Sequence, residues 1–295
     1  MASRPTAPND ARRGRRVAGL ALVLSLAACV MPGTALAAHE TYLALGDSLA
    51  FGYTQATFNS LNREGDAAAE NPVAFDKGYV DDLGRLLQRY RPGVEIINDG
   101  CPGETTDSFI EGPCPYELDY PLHHPYFGGT HASQLSDALH YLKTHRGRVS
   151  PITLDIGAND ALKVIYTDCE RAPACIAARA PALFAHLAAN LGLILRRLRA
   201  DDPGGRIIVL GVYDPFGAAI AGIAPFFTEL NAVDAAQARR VGARFADPLP
   251  AFNPALLETA TLCRLVAVCG DGDIHPTYAG YEVLAELLLA QYLSF

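Results

Sequence analysis

The chain has no tryptophan and only two methionines in 295 residues. Lack of an indole argues against a cleft built to stack sugars, although thirteen tyrosines supply other rings. No C-x-x-C pair occurs, so the cysteines lack the usual spacing of a zinc site. H-E-x-x-H and G-x-x-x-x-G-K-[ST] are also missing, which removes the metalloprotease and P-loop readings. No internal repeat and no linker-like composition breaks the chain, so one large domain is expected. Positive charge is scarce, with 24 basic against 32 acidic residues.

Much of that positive charge sits at the start. Arg12, Arg13, Arg15 and Arg16 precede an apolar run from Val17 to Val30, followed by Pro32-Gly33 and Ala35-Leu36-Ala37. A basic region, a short apolar core and a small-x-small site describe a signal peptide over residues 1–37, leaving 38–295 as a single domain. The run is too short to span a bilayer comfortably, so no stable membrane span is expected. A competing reading places a lipid on Cys29, because Leu26-Ala27-Ala28-Cys29 resembles a bacterial lipobox. Either reading takes the protein out of the cytoplasm. The leader carries five arginines and one aspartate, so the remainder holds 19 basic and 31 acidic residues, a formal net charge of −12. A field of that sign excludes nucleic acid and anionic membrane surfaces as partners.

Six cysteines follow the leader: Cys101, Cys114, Cys169, Cys175, Cys263 and Cys269. An even number in an exported chain reads as disulfides, and near-neighbour pairing (101–114, 169–175, 263–269) is the simplest of the possible connectivities.

Tyr42-Leu43-Ala44-Leu45 is a short apolar run that ends in Gly46-Asp47-Ser48-Leu49. It reads as a buried strand feeding a helix start. Residues 54–77 read as a polar loop and 78–90 as a helix. Strands at 94–98 and 150–156 end in Asp99-Gly100-Cys101-Pro102-Gly103 and Gly157-Ala158-Asn159-Asp160. Between them, 109–130 shows no period, and 133–146 reads as a helix. Beyond lie a long helix over 180–199 with Pro181 in its first turn, a strand at 206–212, and a helix over 228–241. A short strand at 243–247 and a closing helix over 278–292 complete the chain. The alternation predicts an α/β fold with a five-stranded parallel sheet covered on both faces.

Parallel strands bring the loops after them to one edge, so Ser48, Gly103, Asn159 and His275 are predicted to converge. Taken singly, each has an ordinary explanation: Ser48 as a helix cap, Asn159 as a turn residue, His275 as a surface histidine. Together they carry a chemistry. A serine hydroxyl needs an imidazole to accept its proton, and the imidazole needs a carboxylate to fix its tautomer. An oxyanion needs donors, here the Ser48 and Gly103 N–H groups and the Asn159 amide. The form G-x-S-x-G of an ordinary α/β-hydrolase is not met, because Ala50 stands at its second glycine.

Gly-Asp-Ser-Leu at 46–49, Gly103, Gly-Ala-Asn-Asp at 157–160 and His-Pro at 275–276 resemble, in order, the blocks of the GDSL (SGNH) hydrolases. The resemblance runs from Tyr42 to the last helix. It implies a flavodoxin-like three-layer α/β/α sandwich, hydrolysis of esters or thioesters, and no metal or organic cofactor. Carried over, Ser48 is the nucleophile, His275 the base, and Ser48, Gly103 and Asn159 the oxyanion hole. The acid departs from the family pattern, since the position three before the histidine is Gly272. Asp273 is favoured over Asp271, with a dyad assisted by a carbonyl left open, and Asp47 and Asp160 are assigned to pinning loops.

The expectation is thus a monomeric, secreted Ser48–His275–Asp273 hydrolase acting on a small-molecule or lipid ester. Phe51, Tyr53, Phe109, Tyr116, Tyr126 and Phe127 would suit an acyl chain, and the 104–130 and 163–178 segments would wall the cleft. A carbohydrate O-acetyl esterase and a non-catalytic surface-binding protein are the alternatives. His123-His124 reads as an exposed loop pair, with metal binding or a pocket as its other uses.

Overall fold

Tyr42-Leu43-Ala44-Leu45 and Ile152-Thr153-Leu154 leave almost nothing to water, and in the computed structural model of the protein they form the middle of a sheet. The structure describes residues 40–64, 71–116, 121–129, 131–255, 258–270 and 272–295. The expected leader, Cys29 within it, and Asp271 lie outside these residues. The strands are β1 (Thr41–Gly46), β2 (Glu95–Asn98), β3 (Val149–Asp155), β4 (Ile207–Leu210) and β5 (Arg244–Ala246). All neighbours pair in parallel, in the order β2-β1-β3-β4-β5. Only the edge strands β2 and β5 keep exposed positions.

The helices are α1 (Ser48–Phe51), α2 (Gln55–Glu64), α3 (Tyr79–Tyr90), α4 (Thr106–Glu111), α5 (Gln134–Thr144) and α6 (Ala158–Leu162). After them come α7 (Pro173–Asp201), α8 (Ala224–Arg240), α9 (Leu249–Phe252), α10 (Glu258–Leu265) and α11 (Tyr278–Leu293). Side chains alternate across a strand, so β1 presents Tyr42 and Ala44 to one layer and Leu43 and Leu45 to the other. The first pair packs with Val80, Leu83 and Leu87 of α3 and Leu284 and Leu288 of α11. The second packs with Leu135 and Leu139 of α5 and Leu191, Ile194 and Leu198 of α7. This is the expected three-layer sandwich in the flavodoxin-like strand order. Its order reverses between β1 and β3, and such a reversal opens a crevice beyond the strand ends.

Several local expectations give way. Residues 54–77 are not merely a loop: they hold α2 and a 3-10 turn at Pro72–Phe75, whose Phe75 packs against Phe51 and Tyr53. The aperiodic 109–130 stretch begins inside α4. The long helix starts at Pro173 rather than near 180, so the first-turn proline is Pro173 and Pro181 lies in the helix interior. Among the described residues α7 is the one helix long and apolar enough to cross a membrane, but its Leu187, Leu191, Ile194 and Leu198 are buried in the protein core. The three disulfides join Cys101–Cys114, Cys169–Cys175 and Cys263–Cys269, the near-neighbour pairing expected.

Glycine 46 ends β1 with φ of 145°, and a Cβ there would lie 2.2 Å from Asp155 Oδ1 and 2.3 Å from its backbone oxygen. Gly46→Ala is therefore expected to cost about 3 kcal/mol or more, since β3 backbone cannot step aside. For a chain of this size that is a fall in Tm of roughly 6–12 °C by thermal unfolding. A variant as stable as the parent would refute the packing argument.

Candidate active site

The end of β1 is held on all sides. Gln134, at the start of α5, accepts the Gly46 N–H at 2.6 Å and donates back to the Gly46 carbonyl at 2.9 Å. The same carbonyl accepts the Cys101 N–H at 3.0 Å, which fastens the loop after β2 to the loop after β1. Asp47 caps α1 by accepting the Leu49 N–H at 2.9 Å, and Ser48 is the first residue of that helix. Its N–H precedes the first helical bond, and among the described residues neither it nor the Gly103 N–H has a hydrogen-bond partner. Gly103 has φ of 76°, and a Cβ there would meet the Tyr116 ring at 2.4 Å.

His275 reaches this edge from the segment before α11. Tyr213 donates to the Ile274 carbonyl at 2.6 Å, and the Ala267 N–H donates to the His275 carbonyl at 3.0 Å, so the backbone on both sides of the imidazole is fixed. The His275 Nε2 lies 2.9 Å from Ser48 Oγ, and its Nδ1 lies 2.6 Å from Asp273 Oδ1. Asp273 also accepts the N–H groups of His275 at 3.1 Å and Gln55 at 2.9 Å. Burial alone would raise the Asp273 carboxyl, but the His275 bond and charge and these N–H groups outweigh it and hold the group below its ordinary value. The Tyr53 ring packs on the imidazole with centroids 4.6 Å apart.

Asn159 lies in α6, after β3. Its Nδ2 donates to Asp47 Oδ2 at 3.2 Å and to the Glu104 carbonyl at 3.0 Å. Asp160 accepts from the Thr106 N–H at 2.9 Å and the Thr106 hydroxyl at 2.6 Å. The two aspartates assigned to local pinning thus do more: Asp47 ties the loop after β1 to that after β3, and Asp160 ties the latter to α4.

Ser48, Gly103, Asn159 and His275 all line a cavity of about 790 Å³. Leu49, Tyr53, Phe58, Leu162, Val212 and Phe227 give it an apolar wall. Of the six aromatic residues expected here, only Tyr53 and Tyr116 line it. Phe51, Phe109 and Tyr126 are buried in other clusters, and exposed Phe127 stacks on His140 with centroids 3.7 Å apart. Side-chain size at a strand end does not say which way the ring turns. The His123-His124 pair is not an exposed loop either: His123 Nε2 lies 2.9 Å from the Phe51 carbonyl, and His124 Nδ1 lies 3.0 Å from Asp99 Oδ1.

Sequence reasoning missed the shell beneath the cavity. Asp155 Oδ1 accepts the Tyr79 hydroxyl at 2.5 Å, and its Oδ2 accepts the Asp47 N–H at 3.3 Å. Burial drives Asp155 well above the ordinary carboxylate range, and the neighbouring Asp47 charge pushes it further. Glu104 is fully buried, with Oε2 accepting from Gln134 Nε2 at 3.2 Å and Oε1 unpartnered. No residue pattern marks Gln134, Asp155 or Glu104 in one sequence. Their roles come from burial, which only the tertiary structure reveals. Among the described residues, two groups could offer three donors to a metal: Cys101, Glu104 and Cys114, whose sulfurs are already joined, and Asp99, His124 and Asp137 away from the cavity.

A parallel sheet with a hydrogen-bonded serine–histidine–aspartate line at its reversal point defines a class, the α/β/α hydrolases of SGNH type. The chain belongs to the GDSL-like lipase/acylhydrolase family, whose model matches residues 44–283. Similar solved structures include an extracellular lipase from Streptomyces rimosus, with 20% identity, a TM-score of 0.55, and coverage of 85% of this chain and 99% of that one. The acetylxylan esterase Axe2 from Geobacillus stearothermophilus has 18% identity and a TM-score of 0.55, covering 86% of this chain and 94% of the other. LAE5, a hydrolase from the metagenome of Lake Arreo, has 18% identity and a TM-score of 0.53, with coverage of 87% and 96%. At such identities the likeness speaks for the fold. No curated protein matches the sequence.

Burial pushes the Glu104 carboxyl up to about 8, against the hydrogen bond from Gln134 and with the help of the Asp47 and Asp160 charges. The unfolded chain releases this proton near 4.5, whereas the folded state holds it to about 8, so folding loses stability as pH rises across that window. Glu104→Gln cannot titrate. The drop in Tm between about pH 5 and pH 8 should therefore be smaller in this variant than in the parent, read by circular dichroism, and an equal drop would contradict the assignment.

Proposed function

We propose that the protein is an exported serine hydrolase that cleaves carboxylic esters through an acyl-enzyme, with an acyl chain seated in the apolar cavity. The observation that carries the reading is the unbroken line Ser48 Oγ, His275 Nε2, His275 Nδ1, Asp273 Oδ1, with contacts of 2.9 and 2.6 Å. His275 Nε2 takes the Ser48 proton as Oγ attacks the ester carbonyl, and Asp273 steadies the imidazolium that results. The carbonyl oxygen, now negative, is met by the Ser48 and Gly103 N–H groups, which have no partner among the described residues, and by the Asn159 amide. Asn159 must exchange its bond to Asp47 or to the Glu104 carbonyl for one to the oxyanion. His275 then returns its proton to the leaving alcohol, and water repeats the sequence on the acyl-enzyme.

Export rests on the leader-like residues 1–37 and is supported by three disulfides, which persist in oxidising compartments. Cleavage after Ala37 gives a soluble product, and lipidation of Cys29 would give an anchored one. A second reading within the same chemistry is removal of acetyl groups from carbohydrate, the activity named for the Geobacillus neighbour. A cavity of about 790 Å³ is far larger than an acetyl group needs, and its apolar wall favours the longer chain.

On p-nitrophenyl esters, Ser48→Ala and His275→Ala should each lower turnover by roughly 10⁴–10⁶, and Asn159→Ala by roughly 10²–10³. Asp273→Asn should cost up to about 10⁴, while Asp271→Asn should stay near the parent. Activity retained in Ser48→Ala would overturn the reading, and loss in Asp271→Asn alone would move the acid. Along an ester series from acetate upward, kcat/KM should rise about fourfold per added methylene until the cavity is filled. A maximum at acetate, with acetate released from an acetylated polysaccharide, would assign the second reading instead.

A further inference from the structure

Asp99 follows β2, His124 lies in the 121–129 segment, and Asp137 sits in the first turn of α5. Their donor atoms all lie within 4.8 Å of one another, although the residues come from three separate parts of the chain. His124 Nδ1 is 3.0 Å from Asp99 Oδ1 and 3.9 Å from Asp137 Oδ2. Asp99 and Asp137 are 0% and 2% exposed. Each carboxylate has one oxygen with a partner: Asp99 Oδ1 meets His124, and Asp137 Oδ1 accepts the Phe127 N–H. The other oxygen of each, Asp99 Oδ2 and Asp137 Oδ2, is buried with no hydrogen-bond partner. Among the described residues, no lysine or arginine forms an ion pair with either aspartate. The next charged group facing His124 is Glu95 of β2, which is also acidic.

Two buried carboxylates share one imidazole, and each keeps an oxygen without a partner. A carboxylate removed from water needs compensating charge or hydrogen bonds, and a single imidazolium cannot satisfy both. A bound ion would. Bonds of about 2.0–2.2 Å to nitrogen and oxygen in tetrahedral geometry put neighbouring donors roughly 3.4 Å apart. The two separations from His124, 3.0 and 3.9 Å, bracket that value, and the third, between the two carboxylates, lies within 4.8 Å. The His124 side chain is 36% exposed, which leaves a way in and room for a water as fourth ligand.

We propose that Asp99, His124 and Asp137 form a binding site for a divalent transition-metal ion, Zn²⁺ foremost. One imidazole with two carboxylates suits zinc, whereas Ca²⁺ seeks six to eight oxygens and Mg²⁺ an octahedral shell rich in water. The site is structural. None of its three residues lines the cavity with Ser48 and His275. The ion would fasten the 121–129 segment and the start of α5 to the end of β2, where the Asp99 N–H already donates to the Ala44 carbonyl of β1 at 2.9 Å. The helix it anchors is the one whose Gln134 holds Gly46.

The test uses the untagged exported protein, stripped with a chelator and titrated by calorimetry with ZnCl₂, and with CaCl₂ in parallel. One equivalent of Zn²⁺ should bind, raising Tm by roughly 5–10 °C at a hundredfold excess over Kd. Asp137→Asn and His124→Gln should each weaken binding at least 100-fold. No saturable zinc binding by the parent would show an imidazolium–carboxylate cluster and overturn the proposal. Binding that survives both substitutions, or Ca²⁺ bound in place of Zn²⁺, would overturn it equally. If a variant does not fold, NMR of the parent decides: one equivalent of Zn²⁺ must shift the His124 ring resonances and leave those of His275 in place. Shifts at His275, or at neither ring, count against the site.

Discussion

The carboxyl edge of the sheet is fitted around a residue with no side chain. Gly46 lies against Asp155 so closely that no Cβ could stand between them, and both of its peptide groups are held by Gln134. That contact lets β1 and β3 run side by side to their last residues, with Gly46 opposite Asp155 in the register. Asp47 and Ser48 must then leave the sheet at one angle, and the Asp155 carboxyl receives the Asp47 N–H as they do. The Ser48 hydroxyl is aimed by this backbone, not by its own rotamer alone.

From there the order spreads through carboxylates. Asp47 reaches Asn159, Asp160 reaches Thr106, and Asp273 reaches both His275 and Gln55. The bonds to Asn159, Thr106 and Gln55 each join two loops that come from different strands, so the loops are referenced to one another as well as to the sheet. The disulfide from Cys101 to Cys114 closes the segment that holds Gly103, and that from Cys263 to Cys269 precedes the segment that holds Asp273.

What the chain reveals without coordinates divides along physical lines. Strands β1 and β4 hold continuous apolar runs, and β3 sets Ile152 and Leu154 on either side of Thr153, each strand with a glycine or polar break after it, a signal that depends on composition and period alone. The convergence of Ser48, Gly103, Asn159 and His275 follows from parallel topology, and they do line one cavity. The direction of Phe51 or Tyr126 does not follow, because a ring beside a strand end can turn into the core or into the cavity at similar local cost. Helix α7 outran its expected start because Pro181 looked like a first-turn proline, while Pro173 already filled that place. Glu104, Gln134 and Asp155 stayed hidden for the opposite reason: polar residues are expected at the surface, and nothing local announces that these are buried.

That burial changes what the molecule presents to its surroundings. Counting residues gives a formal net charge of −8 for the whole chain. Glu104, Asp155 and Asp234 are each driven upward by burial, Glu104 to about 8 and the two aspartates well above their ordinary value, so Glu104 keeps most of its proton at neutral pH and the aspartates hold theirs to higher pH than exposed ones do. Part of the acidity written in the chain is therefore silent. An approaching ester, or an interface bearing negative headgroups, meets a weaker repulsive field than the composition implies, and the local field at Ser48 owes less to neighbouring acids than their number suggests.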